Sequence, residues 1–288
     1  MLSSIDTFVL PGQPIATDAG FLRGHGSFVR TIEGNTELVA SVAGHVERVN
    51  KLISVRPTKS RYGGEIGDLV VARITAVESK RWKADINGSK DAQLQLASVN
   101  LPGGIQRMRT HEDQLQMRSL FSEGDLISAE IQNINADGTV SLHTRSLRYG
   151  KLENGQLIVV PASLMKRLPQ HNVSLPWGVD MILGRNGFIW ISRSIPAEWK
   201  AGDVEDSEDG TPLAETLQRI KTRHATTPVL VEERSRISRV RNAIEVLRIT
   251  ESIISPESIA AIYRKSEELS MSPMNMLLAE SILALIHT

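Results

Sequence analysis

Four residues, Gly184-Arg185-Asn186-Gly187, have the form G-x-x-G. In one class of RNA-binding module a loop of that form clamps a nucleic-acid backbone. The chemistry is contact, not bond making: glycines clear space for a phosphate chain and nearby cations hold it. Here only Arg185 is basic, and the flanks Ile182-Leu183 and Phe188-Ile189-Trp190-Ile191 are apolar. Asn-Gly between apolar runs is a hairpin signal, because both residues accept positive φ. The local residues favour a structural turn, and the clamp is the alternative.

Other cations fall in clusters. Ser79-Lys-Arg-Trp-Lys83 sets an indole among three positive charges. Bases stack on aromatic rings and cations track phosphates, so Lys80, Arg81, Trp82 and Lys83 are candidate RNA contacts. The alternative is an exposed basic hairpin with Trp82 packed inward. Arg107, Arg109 and Arg118 lie in residues 101–118, where strand alternation breaks. Read as a loop, that insertion carries the three arginines to RNA. Pairing with Glu112 and Asp113 is the alternative. Arg145, Arg148 and Lys151 follow the last strand of this region, and stapling two domains fits them better than gripping RNA. Arg145 is kept among the RNA candidates. In Arg23-Gly24-His25-Gly26 the glycines let backbone approach another surface closely.

Covalent and metal chemistry finds little support. With no cysteine, disulfides, thiolate metal sites and cysteine nucleophiles are excluded. The histidines form no i, i+3 or i, i+4 pair for zinc. Residues 203–209 are carboxylate-rich, but Glu208 stands where a calcium-binding EF-hand loop needs glycine. No metal or cofactor is expected. Formal net charge is zero, so no overall field steers RNA in and any RNA site must be a local patch. Met1 to Thr7 lack a basic-then-apolar signal, and no run approaches the ~20 apolar residues of a membrane span. A soluble, intracellular, non-enzymatic protein is the expectation. An enzymatic alternative makes Lys51 the modified lysine of a lipoyl-carrier domain, but Lys51 reads as part of an apolar run and not as a hairpin tip.

The elements that must position these residues are mainly strands. Residues 1–59 alternate in short runs with turn signals, including Gly34-Asn35, and read as a small β-barrel or sandwich. Residues 60–147 hold a second β unit, in which Gly67-Asp68 and Gly124-Asp125 each open a strand. Five short strands suit an OB-fold barrel. Residues 148–288 mix strands at 156–160, 179–183 and 188–192 with a short helix at 161–168. An acidic linker follows at 201–210, and helices run from Pro212. Ser255-Pro256 and Ser272-Pro273 read as helix starts. The apolar run 274–285 must pack on this chain or on a partner.

Longer motifs add a resemblance. Leu183-Gly-Arg-Asn-Gly-Phe-Ile-Trp190 is similar to the G-x-N-G signature of the cap subunits of the RNA exosome. So are Pro11-Gly12, Asp18-Ala-Gly-Phe-Leu-Arg-Gly-His-Gly26, Ala40-Ser-Val-Ala-Gly44 and Val46-Glu-Arg-Val-Asn-Lys51. Further matches are Arg61-Tyr-Gly-Gly-Glu-Ile-Gly-Asp-Leu-Val-Val71, Asn100-Leu-Pro-Gly-Gly104 and Glu123-Gly-Asp-Leu-Ile-Ser-Ala-Glu130. Ser141-Leu-His-Thr-Arg-Ser-Leu147 and Tyr149-Gly-Lys151 complete the set.

The resemblance implies an N-terminal β domain, an OB-fold RNA-binding domain and a KH domain of G-x-N-G type with C-terminal helices. It implies a non-catalytic subunit that stabilises a ring of RNase-PH-like proteins beside other cap subunits. Single-stranded RNA would pass it into a 3'-5' degradation and processing channel, in rRNA processing and RNA decay, in nucleus, nucleolus and cytoplasm. On that reading Arg23, Gly24, His25 and Gly26 touch the ring. Gly184 to Gly187 keep a structural role between the two RNA-binding domains. A free-standing RNA-binding protein of translation or RNA chaperoning is the alternative.

Overall fold

A computed structural model describes residues 8–17, 20–32, 35–58, 61–100, 110–146, 148–196 and 213–286. The chain forms two compact units, Met1–Ser60 and Arg61–Thr288.

The first unit is built of seven short strands: β1 (Phe8–Val9), β2 (Pro14–Ala16), β3 (Leu22–Arg23), β4 (Ser27–Ile32), β5 (Asn35–Ala40), β6 (Gly44–Val49) and β7 (Leu52–Pro57). They make two sheets, ordered β1-β6-β7-β3 and β2-β5-β4. The sheets share a small core of Val9, Ala40 and Val55. Lys51 departs from the expectation. It sits with Asn50 in the two-residue turn that joins Val49 to its partner Leu52. Asn50 takes φ +56°, which makes the tight turn possible. Lys51 is therefore a hairpin tip, and its position is no argument against a carrier lysine.

The second unit opens with β8 (Leu69–Val77), β9 (Arg81–Asp85), β10 (Ala92–Val99), β11 (Leu126–Ile134) and β12 (Val140–Thr144). The order β12-β10-β9-β8-β11, with β11 also pairing β12, closes a five-stranded barrel. Every second residue points inward: Trp82 and Ala84 on β9, Ala92, Leu94 and Leu96 on β10. The Gly-Asp repeat of the sequence is a local two-fold. Gly67 N–H donates to Ile131 O while Gly124 N–H donates to Ile74 O. Asp68 and Asp125 each accept from the backbone N–H three residues before them.

The described part of the 101–118 insertion is not a loop. Thr110 caps α1 (His111–Leu115), with Asp113 returning the bond as a capping box, and α2 (Met117–Leu120) follows.

After β13 (Gly150–Leu152), β14 (Gly155–Val159), β15 (Asn172–Leu175), β16 (Val179–Leu183) and β17 (Phe188–Arg193) form an antiparallel sheet ordered β14-β17-β16-β15. The helix expected at 161–168 is only a 3-10 turn, Ala162–Leu164. Leu164 O and the Lys166 N–H are both bonded to Ile254, so the backbone leaves helical geometry there. Helices α3 (Leu213–Thr226), α4 (Val231–Ile249), α5 (Pro256–Glu268) and α6 (Ala279–Ile286) complete the unit. On α4, Ile237, Val240, Ile244 and Leu247 recur at helical spacing and are buried with Met181, Leu183 and Ile191 of the sheet. Ser255 caps α5 as its sequence predicts, with Pro256 in the first turn. The apolar tail packs in part on its own chain: Met276 and Leu285 are buried in that same core, whereas Met274, Leu278 and Leu283 are exposed.

Candidate nucleic-acid interface

The two ends of the barrel differ in what meets them. Strand directions put the start of β9 and the ends of β8, β10 and β12 at one end. Lys80, Arg81 and Lys83 lie at or near the start of β9, Arg145 follows the end of β12, and Arg118 stands on α2, next to Phe121, which meets Trp82. At the opposite end β8 begins and β9 runs out, and there the G-x-N-G turn enters.

At the rim, Arg81 and Lys83 both bind Glu78, at 2.5 and 2.8 Å. These two cations pull the Glu78 carboxyl below the usual carboxylate range, Lys83 first and Arg81 second. Lys80 is exposed and has no carboxylate within ion-pair distance among the described residues. Three cations against one carboxylate leave this corner positive. Arg118 is 67% exposed and pairs with Glu123 at 2.7 Å, not with Glu112 or Asp113. Arg145 is exposed, and its carbonyl accepts from the Asn100 side chain. Arg107 and Arg109 lie outside the described residues.

Trp82 must be corrected. Its side chain is 0% exposed, its indole N–H donates to Phe121 O at 2.9 Å, and its ring meets Phe121 edge-on. No base can stack on it. The strand's two-residue repeat explains the fault: Arg81 and Lys83 point outward, so Trp82 between them points in. Any RNA contact at this rim is electrostatic.

The G-x-N-G turn is a hairpin between β16 and β17, and not of the type its Asn-Gly pair suggests. Asn186 does not take positive φ; only Gly187 does, at +83°. Gly187 N–H donates to Gly184 O and Gly184 N–H donates to Phe188 O. Both glycines are sterically required. A Cβ on Gly184 would stand 2.4 Å from Phe188 O, and one on Gly187 2.1 Å from Val160 O.

Asn186 itself is 0% exposed. Its side-chain amide donates to Val71 O at 2.7 Å and Ile86 O at 2.9 Å, both in the barrel. Asn87 returns a bond to Asn186 O at 2.9 Å, and Arg185 N–H donates to Leu69 O. The Arg185 guanidinium lies 3.6 Å from the buried Asp68, and Arg167 joins Glu65. Around them Val71, Phe188 and Trp190 form a separate apolar cluster. The motif is a plug between barrel and sheet, and the Asn186 amide is used up there.

The stapling expected beside the barrel is seen for Lys151, which joins Asp125 at 3.1 Å and Glu153 at 3.3 Å. Arg148 is exposed. Both line a cleft of about 290 Å³ under α3, together with Arg193, Lys221, Asp180 and Trp190. Burial lowers the Lys221 ammonium's pKa, and it donates to Tyr149 O at 3.1 Å. Sequence reading missed Lys221 and Arg193, since no local pattern joins α3 to β17. In the first unit, a Cβ on Gly24 or Gly26 would stand 2.6 or 2.5 Å from a backbone oxygen of β7. The surface these glycines approach is therefore their own neighbouring strand.

Comparison with known proteins decides the family. Three family models match in order: "Exosome complex exonuclease RRP4 N-terminal region" at residues 8–49, "RRP4, S1 domain" at 61–133 and "KH domain" at 155–197. The mouse protein named "Exosome complex component RRP4" is 47% identical over 258 residues, which cover 90% of this chain and 81% of that one. The chain belongs to the RRP4 family.

The Saccharomyces cerevisiae protein of the same name is 41% identical over 276 residues, 90% of this chain and 76% of its own. The Arabidopsis thaliana RRP4 homolog is 40% identical over 246 residues, 85% and 74%. In RRP4 terms, the closed barrel is the S1 domain and the β14-β17-β16-β15 sheet belongs to the KH domain. The family replaces the position of Lys51 as the reason for setting the lipoyl-carrier reading aside. Among the described residues no helix is long and apolar enough to cross a membrane, and no group of His, Asp and Glu could hold a metal.

Proposed function

We propose that this chain is a non-catalytic RNA-binding cap subunit of an RNA exosome. Its relatives carry the name exosome component, and the S1 and KH modules it shares with them bind RNA by backbone contact and charge. The observation that carries the mechanism is the division of the barrel's ends. The KH plug fixes one end and leaves the positive rim of Lys80, Arg81, Lys83, Arg118 and Arg145 facing outward. In this reading the rim guides single-stranded RNA toward the channel without reading its sequence. Arg107 and Arg109 serve the same RNA, and Trp82 has no part in it.

The N-terminal unit serves as the assembly surface toward RNase-PH-like ring subunits and other cap subunits. Leu22 is 62% exposed and Val49 65%, a large apolar exposure for so small a core. The surface around Arg23 and His25 belongs to that contact, with Gly24 and Gly26 shaping it from within. Work in nucleus, nucleolus and cytoplasm on rRNA processing and RNA decay follows from the same reading.

The test replaces Lys80, Arg81 and Lys83 by alanine in the assembled complex. RNA retention should fall. It should also depend less steeply on salt, by about 0.7 in the log–log slope for each phosphate the rim no longer holds. Assembly should be unchanged. Loss of assembly with RNA retention intact would refute the assignment.

A further inference from the structure

We propose that the groove between β14 and α4 docks an extended, acidic segment of a partner protein as an added fifth strand of the KH sheet. This goes beyond the RNA-guiding role and uses a different face.

Among the described residues β14 is an edge strand, paired only with β17. Val160 N–H donates to Gly187 O at 2.8 Å, continuing that ladder. By the two-residue alternation of an antiparallel strand, the backbone groups of Leu157 and Val159 then face away from β17. An edge of this kind is a template for an incoming chain. Val159 is 49% exposed beside it.

α4 forms the other wall. A cavity of about 620 Å³ opens where Gln156 and Leu157 face Ser238, Arg241 and Met274. A second, of about 350 Å³, opens where Gly155 and Gln156 face Arg234 and Ile237. Gln156 lines both, so they are successive parts of one groove. Among the described residues no carboxylate lines either part. Arg241 donates to the Asn242 side chain at 3.2 Å. Among the described residues, no carboxylate lies within ion-pair distance of Arg234 or Arg241.

Two exposed arginines seven residues apart stand about 10 Å from each other along a helix. That is the reach of two carboxylates on one short extended segment. Met274, 89% exposed at one end, supplies an adaptable apolar seat. A peptide matches all three features: strand-edge bonds, charge and apolar seats. A phosphate chain matches only the charge.

The experiment selects ten-residue peptides from a random display library on the full chain. Enriched peptides should alternate acidic and apolar residues. Their affinity should fall at least tenfold with R234E/R241E and be kept with R234K/R241K. Amide hydrogen exchange at Leu157 and Val159 should slow on binding. The proposal is overturned if no peptide is enriched, if R234E/R241E binds them equally, or if exchange along β14 is unchanged. It is also overturned if labelled oligouridylate, and not peptide, shows the arginine dependence.

Discussion

Replacing Asn186 separates a lock from a clamp. Asn186→Ala removes two amide donors and leaves Val71 O and Ile86 O without them in a site from which water is excluded. Each buried acceptor stripped of its partner costs about 1–3 kcal/mol. Carbonyls keep a second lone pair, so the lower half of that range applies, roughly 2–4 kcal/mol for the two. Against a typical total of ~5–15 kcal/mol, this is a large share. Asn186→Asp keeps the shape and sets a carboxylate against two carbonyls, which is worse because burying an unpaired charge costs more than burying a polar group. Urea unfolding followed by tryptophan emission should show the order wild type, Asn186→Ala, Asn186→Asp in falling midpoint. Trp82 in the barrel and Trp190 beside the plug, both buried, report the transition. RNA retention by the folded Asn186→Ala protein should stay near wild type. An unchanged midpoint together with failed RNA retention would refute the reasoning and make the motif a clamp.

Two further outcomes can be measured on the same protein. Trp82→Phe strips Phe121 O of its donor and leaves a gap where the larger indole packed, so it should lower stability by about 2–4 kcal/mol and leave RNA retention unchanged; reduced retention would return the ring to the RNA surface. His171 and His224 both have pKa values lowered from 6.5, in each case chiefly by burial. The folded state then favours neutral imidazole, and the unfolded state takes up protons first as pH falls. Their stabilisation is present above pH 6.5 and is lost as pH falls from there through the folded-state values. Melting temperature should drop between pH 7.5 and 5. His224→Gln should flatten that drop, and an identical profile in the variant would exclude His224 as a source.

What could be read from the chain, and what could not, follows the range of each interaction. The barrel was legible because alternation is a property of neighbours, and the Gly-Asp repeat announced both strands that it opens. The same parity turns Trp82 inward between two outward cations, so the false stacking candidate carried its own correction. The helices after Thr110 were signalled by Thr-x-x-Asp but hidden by the surrounding arginines. The 161–168 helix failed for the opposite reason: its backbone is claimed by Ile254, far along the chain. Lys51 was misplaced because apolar Val49 and Leu52 mask a turn made by one asparagine at positive φ.

The G-x-N-G motif is the sharpest case. Its hairpin is local and was legible. Its purpose rests on partners 115 and 100 residues away, at Val71 and Ile86. A free asparagine at a loop tip offers its amide to phosphate, whereas one that has spent that amide on two barrel carbonyls has none to offer. Four identical letters can therefore bind RNA in one chain and bind a neighbouring domain in another. The difference lies in which surface the turn is folded against, and a short apolar flank with one cation is the only local sign of it.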